Sequence, residues 1–151
     1  MSSLPSHPPT LAVQRLHPEA VLPKRQHPGD AGLDLCCLEP IHLEPGERGM
    51  IPTGIAVAVP LGYAGLVVPR SGLAARHGIA VVNAPGTIDA GYRGELQVLL
   101  LNTDREQPFL ASSGERIAQL LLVPVALSEV ELVSTLDDTA RGAGGFGSTG
   151  R

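Results

Sequence analysis

Tryptophan is absent from this chain, and aromatic residues make up only 3% of it, so its core must be built from aliphatic side chains. The chain has 151 residues, of which 43% are hydrophobic, a composition that suits one globular domain with a buried core. Because aromatic residues are scarce, the two that lie in glycine-rich segments, Tyr92 and Phe146, are candidates for a role other than packing.

The sequence also lacks a run of basic residues, and its formal net charge is −4 at pH 7. This charge argues against nucleic acid or an anionic membrane as the main partner. No apolar run approaches the roughly 18 residues of a membrane-spanning helix, and residues 1–10 lack the basic and apolar regions of a signal peptide. The only cysteines, Cys36 and Cys37, are adjacent, which favours reduced thiols over a structural disulfide. The sequence therefore predicts a cytoplasmic protein.

Glycine and proline are plentiful, with 18 and 14 residues, which favours short strands and turns over long helices. Apolar segments predict about ten strands with close turns, among them separate strands at 48–51 and 55–59 and a last strand at 130–133. Residues 69–78 predict one short helix, with Ser71 as its N-cap and Gly78 as its end. The pattern indicates an all-β sandwich or barrel.

The chain divides by composition into three parts. Residues 1–9, rich in proline and serine, predict a mobile N-terminal lead-in. Residues 10–135 contain all the predicted strands and form the β domain. Residues 136–151 are polar and glycine-rich, and they predict a flexible C-terminal arm.

The segment NAPGTIDAGYRG at 83–94 lies between two strongly apolar runs, 79–82 and 96–101. Two such runs joined by a segment with proline and glycine predict a β-hairpin. This hairpin carries a carboxylate, Asp89, and the aromatic Tyr92, together with glycines at which the backbone can closely approach a ligand. It is the first candidate for a functional site.

Two further segments place polar residues where they need an explanation. Asp34 lies within a predicted strand, where aspartate is disfavoured, so it is solvent-facing, a structural acid with satisfied hydrogen bonds, or part of a charged site. Arg70, Ser71 and Gly72 stand at the predicted helix N-terminus, where free N–H groups and a guanidinium can bind an anion. An ordinary N-cap explains these residues equally well.

Two more segments lie near the C-terminus. Gln119 interrupts the apolar run 117–125, which predicts a buried amide that needs partners, and a ligand is one possible partner. The stretch 141–150 has five glycines in ten residues and is either a disordered tail or a phosphate-binding loop. Arg93 and Glu95 predict an exposed ion pair, and Arg116 a structural charge. The histidines show no spacing typical of metal ligands.

Taken in order, these five segments closely resemble the five motifs of the trimeric dUTP diphosphatases (dUTPases). The matches are AGLDL at 31–35, PRSGLAARHGI at 69–79, NAPGTIDAGYRGE at 83–95, GERIAQLLL at 114–122 and RGAGGFGSTG at 141–150. Each motif is weak by itself. Their collinear order and family-like spacing make the resemblance strong.

The resemblance implies an all-β, jelly-roll-like (β-clip) distorted barrel with one short helix. It also implies a homotrimer whose active sites lie at subunit interfaces, with the arm at 136–151 closing over a neighbouring site. The implied reaction is Mg²⁺-assisted hydrolysis of dUTP to dUMP and pyrophosphate. That reaction limits uracil in DNA and supplies dUMP for dTTP synthesis.

The resemblance also assigns roles to individual residues. Asp89 is the implied general base, activating a water that attacks the α-phosphorus. Tyr92 lies beneath the deoxyribose and leaves no space for a 2′-OH, while Asp34 holds Mg²⁺ through water. The implied uracil contacts come from hairpin backbone groups and from Asn83, Thr87, Ile88 and Gln97.

The remaining implied contacts are to the phosphates and to the outer face of the uracil. Arg70, Ser71 and Gly72 bind the phosphates from a neighbouring subunit, and Gln119 reaches the phosphate region. In the arm, Phe146 stacks on the uracil. The arm residues assigned to substrate binding beside it are Arg141, Gly147, Ser148 and Thr149.

Two alternative functions compete with this one. A dCTP deaminase shares the fold but needs a catalytic acid in a different hairpin sequence, whereas TIDAGYRGE has the diphosphatase form. A non-catalytic jelly-roll module would be indicated by loss of Asp89 or of Arg70 and Ser71, and all three residues are present.

Overall fold

The computed structural model describes residues 8–147, which contain ten β-strands and one short helix. In chain order the elements are β1 (Ala12–Arg15), β2 (Leu33–Cys36), β3 (Ile41–Leu43), β4 (Arg48–Ala58), β5 (Tyr63–Pro69), α1 (Ser71–His77), β6 (Ile79–Val81), β7 (Gly86–Ile88), β8 (Glu95–Asn102), β9 (Phe109–Ala111) and β10 (Arg116–Pro124). The prediction of an all-β fold with one short helix is confirmed. No helix among residues 8–147 is long and apolar enough to span a membrane.

The strands form three antiparallel sheets. The first has the order β1-β4-β8-β6, the second β2-β10-β5-β7, and β3 pairs with β9 in a small third sheet. Buried aliphatic side chains of the two large sheets belong to one core, in which Leu100 of β8 and Leu120 of β10 are completely buried. Full burial of such a side chain contributes about 1.5–3 kcal/mol, so the core holds the two sheets together.

The sheets do not close into a barrel within residues 8–147. β1 and β6 remain at the edges of the first sheet, and β2 and β7 at the edges of the second. Of the predicted distorted barrel, the all-β part is therefore observed and closure is not. The jelly-roll arrangement stays a prediction.

Three local predictions were wrong. Residues 130–133 form no strand, and Val130 and Leu132 are almost fully exposed, because no neighbouring strand in the described part of the chain pairs with them. The N-cap of α1 is Arg70, not Ser71, and it makes no side-chain capping bond. Residues 48–58 form the single strand β4, since its pairing with β8 continues across an irregularity between Pro52 and Ala56.

The predicted hairpin is present in a more elaborate form. β6 and β8 pair antiparallel, with Val81 opposite Leu100. The segment between them is more than a turn, because β7 pairs with β5 of the second sheet, with Thr87 opposite Leu66. The connection therefore passes from one sheet to the other and back. This path fixes its backbone at both sheets and leaves a pocket along it.

Candidate active site

The first pocket, called the hairpin pocket, has a volume of about 300 Å³ and lies along the segment that joins β6 to β8. Its lining contains six residues predicted from the sequence, namely Asn83, Thr87, Ile88, Asp89, Tyr92 and Gln97. The other lining residues are Met50, Glu95, Leu96 and Leu99. The segment thus gathers the predicted base, the predicted sugar contact and the predicted uracil contacts around one cavity.

Hydrogen bonds within the segment fix the position of Tyr92. Its hydroxyl donates to the carbonyl oxygen of Glu95 at 3.0 Å, and its backbone N–H donates to the Asp89 carbonyl at 3.1 Å. A Cβ on Gly94 would overlap the Tyr92 ring, so only glycine permits this placement. The ring remains 45% exposed, which leaves it accessible to a ligand.

The predicted ion pair between Arg93 and Glu95 is not formed. Arg93 Nη1 instead donates to the carbonyl oxygens of Ala90 at 2.7 Å and Tyr92 at 2.9 Å. The Glu95 carboxylate accepts from the backbone N–H of Gly54 at 2.8 Å. Nearby backbone groups therefore provide partners for both charges, and Arg93 stabilises the turn between Asp89 and Tyr92.

The second pocket, called the arginine pocket, has a volume of about 130 Å³ and lies where β2, β10 and the start of α1 meet. Five of its lining residues were predicted from the sequence, namely Asp34, Arg70, Ser71, Gly72 and Gln119. Gln26 and Arg116 complete the lining. Two guanidinium groups and a single carboxylate give the pocket a net positive charge, which suits an anionic ligand.

Asp34 is 4% exposed, so of the three interpretations left open the solvent-facing one is wrong. Its carboxylate accepts hydrogen bonds from Gln26 Nε2 at 2.8 Å, Gln119 Nε2 at 3.3 Å and Arg116 Nη1 at 3.4 Å. Burial alone would raise the pKa of Asp34, but these three hydrogen bonds and the Arg116 charge outweigh burial and lower it. The other two interpretations, a structural acid and part of a charged site, both apply to Asp34. Its carboxylate has hydrogen-bond partners, and it lines a charged pocket.

A β-bulge brings Arg116 and Gln119 to the same side of β10. Three residues apart on a regular strand, they would face opposite sides. The register on β2 shifts between Arg116 and Ala118, so that Arg116 lies opposite Cys36 and Gln119 opposite Asp34. Arg116 also fixes Arg70, whose Nη1 donates to the Arg116 carbonyl at 2.8 Å.

Comparison with known proteins identifies the family. A family model described as dUTPase matches residues 18–150. The chain belongs to the dUTPase family. The deoxyuridine 5'-triphosphate nucleotidohydrolase of Cutibacterium acnes is 58% identical over 142 residues, which covers 94% of this chain and 90% of the relative. The enzyme of the same name from Thermobifida fusca is 58% identical over 138 residues, covering 91% of this chain and 77% of the relative.

Solved structures agree with this result. A mutant dUTPase of Staphylococcus bacteriophage 80alpha with dUpNHpp has a TM-score of 0.86 and 33% identity, covering 94% of this chain and 99% of the phage chain. A mutant dUTPase from phage phi11 of S. aureus, described with a structural Mg(II) ion, has a TM-score of 0.80 and 30% identity, covering 86% of this chain and 100% of the other. The prediction of a dUTP diphosphatase is confirmed at the level of family and enzyme class.

Of the C-terminal dUTPase motif, the described residues 141–147 line neither the hairpin pocket nor the arginine pocket. Arg141 Nε donates to the carbonyl oxygen of Gly144 at 2.9 Å, within the arm itself. Phe146 and Gly147 are exposed, and neither of them lines the hairpin pocket or the arginine pocket. Ser148 and Thr149 lie outside the described residues.

The chemistry of the arginine pocket limits how this dUTPase could hold Mg²⁺. Residues 8–147 contain no group of three or more His, Cys, Asp or Glu side chains that could bind a metal ion. Asp34 is the single carboxylate among the described residues that line the arginine pocket. Mg²⁺ commonly keeps several waters and binds through one or two carboxylates together with substrate phosphates. One carboxylate in a cationic pocket fits Mg²⁺ that arrives with a triphosphate.

Three polar residues of the two pockets were not predicted as site residues from the sequence. The sequence predicts Arg116 only as a structural charge, because on a regular strand Arg116 and Gln119 would face opposite sides and the bulge is not visible in the sequence. The sequence predicts Glu95 as one partner of an exposed ion pair. Gln26 lies in a loop outside the dUTPase motifs, and nothing in the local sequence pointed to a partner for it.

Proposed function

We propose that this chain hydrolyses dUTP to dUMP and pyrophosphate in the cytoplasm, with Asp89 as the general base. The observation that carries the proposal is the hairpin pocket, in which Asp89 lies with Tyr92 and Asn83 on a loop fixed to both sheets. Two free, buried cysteines agree with a reducing compartment. In that compartment the activity would limit uracil in DNA and supply dUMP for dTTP synthesis.

The hairpin pocket would bind the nucleoside. Asn83 and the backbone at Thr87 and Ile88 would read the uracil, with Gln97 at the pocket edge. A Cβ on Gly86 would lie 3.2 Å from Asn83 Nδ2, so glycine there allows the amide to lie close to the backbone. The Tyr92 ring, fixed through its hydroxyl, would lie beneath the deoxyribose and exclude the 2′-OH of UTP.

The arginine pocket would bind the phosphates. Arg70 can form the paired hydrogen bonds that guanidinium groups make with phosphate oxygens. Ser71 and Gly72 begin α1, where backbone N–H groups lack partners within the helix. The amide of Gln119 lies beside them and would donate to a phosphate oxygen.

In the reaction, the Asp89 carboxylate would accept a proton from water while the water oxygen attacks the α-phosphorus. The bond from the α-phosphorus to the bridging oxygen then breaks, and pyrophosphate leaves. Mg²⁺ bound to the triphosphate would supply positive charge to its oxygens, and Asp34 is the residue that would hold it, through water. Arg70 would hold the phosphates in line for the attack.

We further propose that the β domain at 10–135 forms a jelly-roll-like homotrimer with shared active sites. Support comes from the segment after β10, where large apolar side chains are exposed, namely Leu127, Val130, Leu132 and Leu136. Several large apolar side chains exposed along one short segment suggest a surface that a partner covers. The arm at 136–151 would close over a neighbouring site, with Phe146 on the uracil and Arg141, Gly147, Ser148 and Thr149 near the phosphates.

The proposal is tested by incubating the protein with dUTP and Mg²⁺ and measuring pyrophosphate release. Asp89→Asn should keep its affinity for a non-hydrolysable dUTP analogue and lose about 10²- to 10⁴-fold in kcat, the usual contribution of a general base. Glu39→Gln, which changes an exposed carboxylate outside both pockets, should behave like the parent.

Two results would contradict the proposal. Deamination of dCTP without pyrophosphate release from dUTP would point to the deaminase alternative. Hydrolysis by Asp89→Asn at the parent rate would mean that the base is another residue.

A further inference from the structure

The loop at 24–30 is bonded to β2 at Lys24, beside the arginine pocket, and is closed by a hydrogen bond within the loop. The backbone N–H of Asp34, in β2, donates to the Lys24 carbonyl at 2.9 Å. Arg25 Nε donates to the Asp30 carbonyl at 2.7 Å and closes the loop on itself. Gln26 lies between these fixed points, and its side chain lines the pocket.

Gln26 makes the shortest side-chain hydrogen bond to Asp34. Its Nε2 lies 2.8 Å from Asp34 Oδ2, compared with 3.3 Å for Gln119 and 3.4 Å for Arg116. An ionised carboxylate only accepts hydrogen bonds, so the NH₂ of the Gln26 amide must face Asp34. The short distance and the fixed loop make this the tightest of the three contacts.

The three hydrogen bonds together fix the orientation of the Asp34 carboxylate. Oδ2 accepts from Gln26 and Arg116, while Oδ1 accepts from Gln119. Rotation of the carboxylate about its bond to Cβ would break the bonds on both oxygens. Loss of the Gln26 contact leaves only the two longer bonds to resist that rotation.

We propose that Gln26 is a positioning residue for the triphosphate. It fixes the Asp34 carboxylate, which in turn holds the amide of Gln119 and the guanidinium of Arg116 at the arginine pocket. The inference rests on the proposed function, in which this pocket binds the phosphates. Gln26 is itself exposed, so its side chain contributes little to the core, and its loss should affect ligand binding more than folding.

The test compares the parent with Gln26→Ala, Gln26→Glu and the control Gln107→Ala, which truncates an exposed glutamine outside both pockets. Calorimetry with Mg²⁺ gives the Kd of dUpNHpp and of dUMP, and kcat, KM and Tm are measured alongside. Gln26→Glu keeps the size of the side chain but replaces the donor by an oxygen and adds a negative charge beside Asp34.

Gln26→Ala should weaken dUpNHpp binding about tenfold, the order expected for losing one hydrogen bond to a charged group. Binding of dUMP should change by less than about twofold. The reason is that dUMP lacks the β- and γ-phosphates, and its nucleoside would bind in the other pocket. Gln26→Glu should weaken dUpNHpp binding further, because like charges repel. Gln107→Ala should match the parent in affinity and in Tm. The Tm of the two Gln26 variants should fall by only a few degrees, because a single hydrogen bond to Asp34 is lost.

Two outcomes would overturn the inference while the parent still hydrolyses dUTP. One is equal affinity for dUpNHpp in all four proteins. The other is an equal loss for dUpNHpp and dUMP with a lowered Tm, which would make Gln26 a structural residue. Failure of the proposed function is separately visible, because the parent would release no pyrophosphate and bind neither nucleotide, and this result would overturn both.

Discussion

Gly32→Ala should lower kcat/KM for dUTP by displacing Gln119 from its position in the arginine pocket. A Cβ added at Gly32 would lie 2.9 Å from Gln119 Cδ, 3.0 Å from its Oε1 and 3.1 Å from its Cβ. Carbon atoms in contact prefer about 3.5–4.0 Å, so the glutamine side chain has to turn away. Turning away breaks its 3.3 Å hydrogen bond to Asp34.

The size of the effect follows from that bond. A hydrogen bond to a charged group contributes about 1.5–3 kcal/mol, and a bond of this length belongs at the lower end. We therefore expect kcat/KM for dUTP to fall about tenfold, since about 1.4 kcal/mol corresponds to a factor of ten. Overpacking should lower the free energy of unfolding by about 1–3 kcal/mol as well.

A double-mutant cycle measures whether Gln119 carries the effect. Gln119→Ala removes Cδ and Oε1, so that only the Cβ contact at 3.1 Å remains. In that background Gly32→Ala should cost less in kcat/KM and in urea unfolding, giving a coupling of about 0.5–3 kcal/mol. Gly49→Ala is the control, because its Cβ would meet Leu43 Cδ2 at 3.0 Å and Gly49 lines neither pocket.

The control should lose stability and keep kcat/KM. Two results would refute the reasoning for Gly32. The first is strict additivity in the cycle, which would mean that the cost of Gly32→Ala does not pass through Gln119. The second is a Gly32→Ala variant with the kcat/KM of the parent.

Asp34→Asn should remove stability that depends on pH: although burial raises the pKa of Asp34, its hydrogen bonds and Arg116 lower it overall, so the folded state favours the ionised form. That stabilisation is complete above the unfolded pKa of about 3.9 and is lost as the pH falls through the folded pKa. The difference in unfolding free energy between the nucleotide-free parent and the variant should therefore shrink below about pH 4. A difference that stays constant with pH would contradict this assignment. Deletion of 141–151 should lower turnover of dUTP but should not change the mass of the assembly measured by light scattering, because Arg141 bonds within the arm and Phe146 is fully exposed. A monomer after deletion would mean that the arm is structural.

The strand pattern was predictable where burial decides it. β8 alternates between buried and less buried positions along its central part, and β10 lies between two strands of its sheet, so both follow directly from their apolar residues. The predicted strand at 130–133 failed because apolar residues alone do not form a strand. A strand needs a partner for its backbone, and within residues 8–147 none is present for this segment.

The hairpin pocket was predictable, and the arginine pocket only in part. The hairpin residues lie within one short segment, so their proximity follows from the chain itself. The arginine pocket depends on pairing across sheets, on the bulge between Arg116 and Ala118 and on a loop hydrogen bond from Gln26. Motif resemblance found Arg70, Asp34 and Gln119, but it could not indicate the residues that hold them in place.

The two pockets divide the charges that one reaction would need. In the described part of the chain, the hairpin pocket is lined by two acids, Asp89 and Glu95, and by no cation. Both arginines, Arg70 and Arg116, line the arginine pocket, and the two linings share no residue.

A triphosphate beside Asp89 would be repelled by both acids unless cations lay close to it. In one described chain Arg70 and Arg116 line the other pocket, and Arg93, which lies in the same loop as Asp89, is bonded to the carbonyls of Ala90 and Tyr92 and does not line the hairpin pocket. The proposed trimer resolves this conflict, because the arginine pocket of one subunit can then face the hairpin pocket of another. Assembly would in this way bring positive charge to Asp89, and a monomeric variant should lose turnover even when both of its pockets are intact.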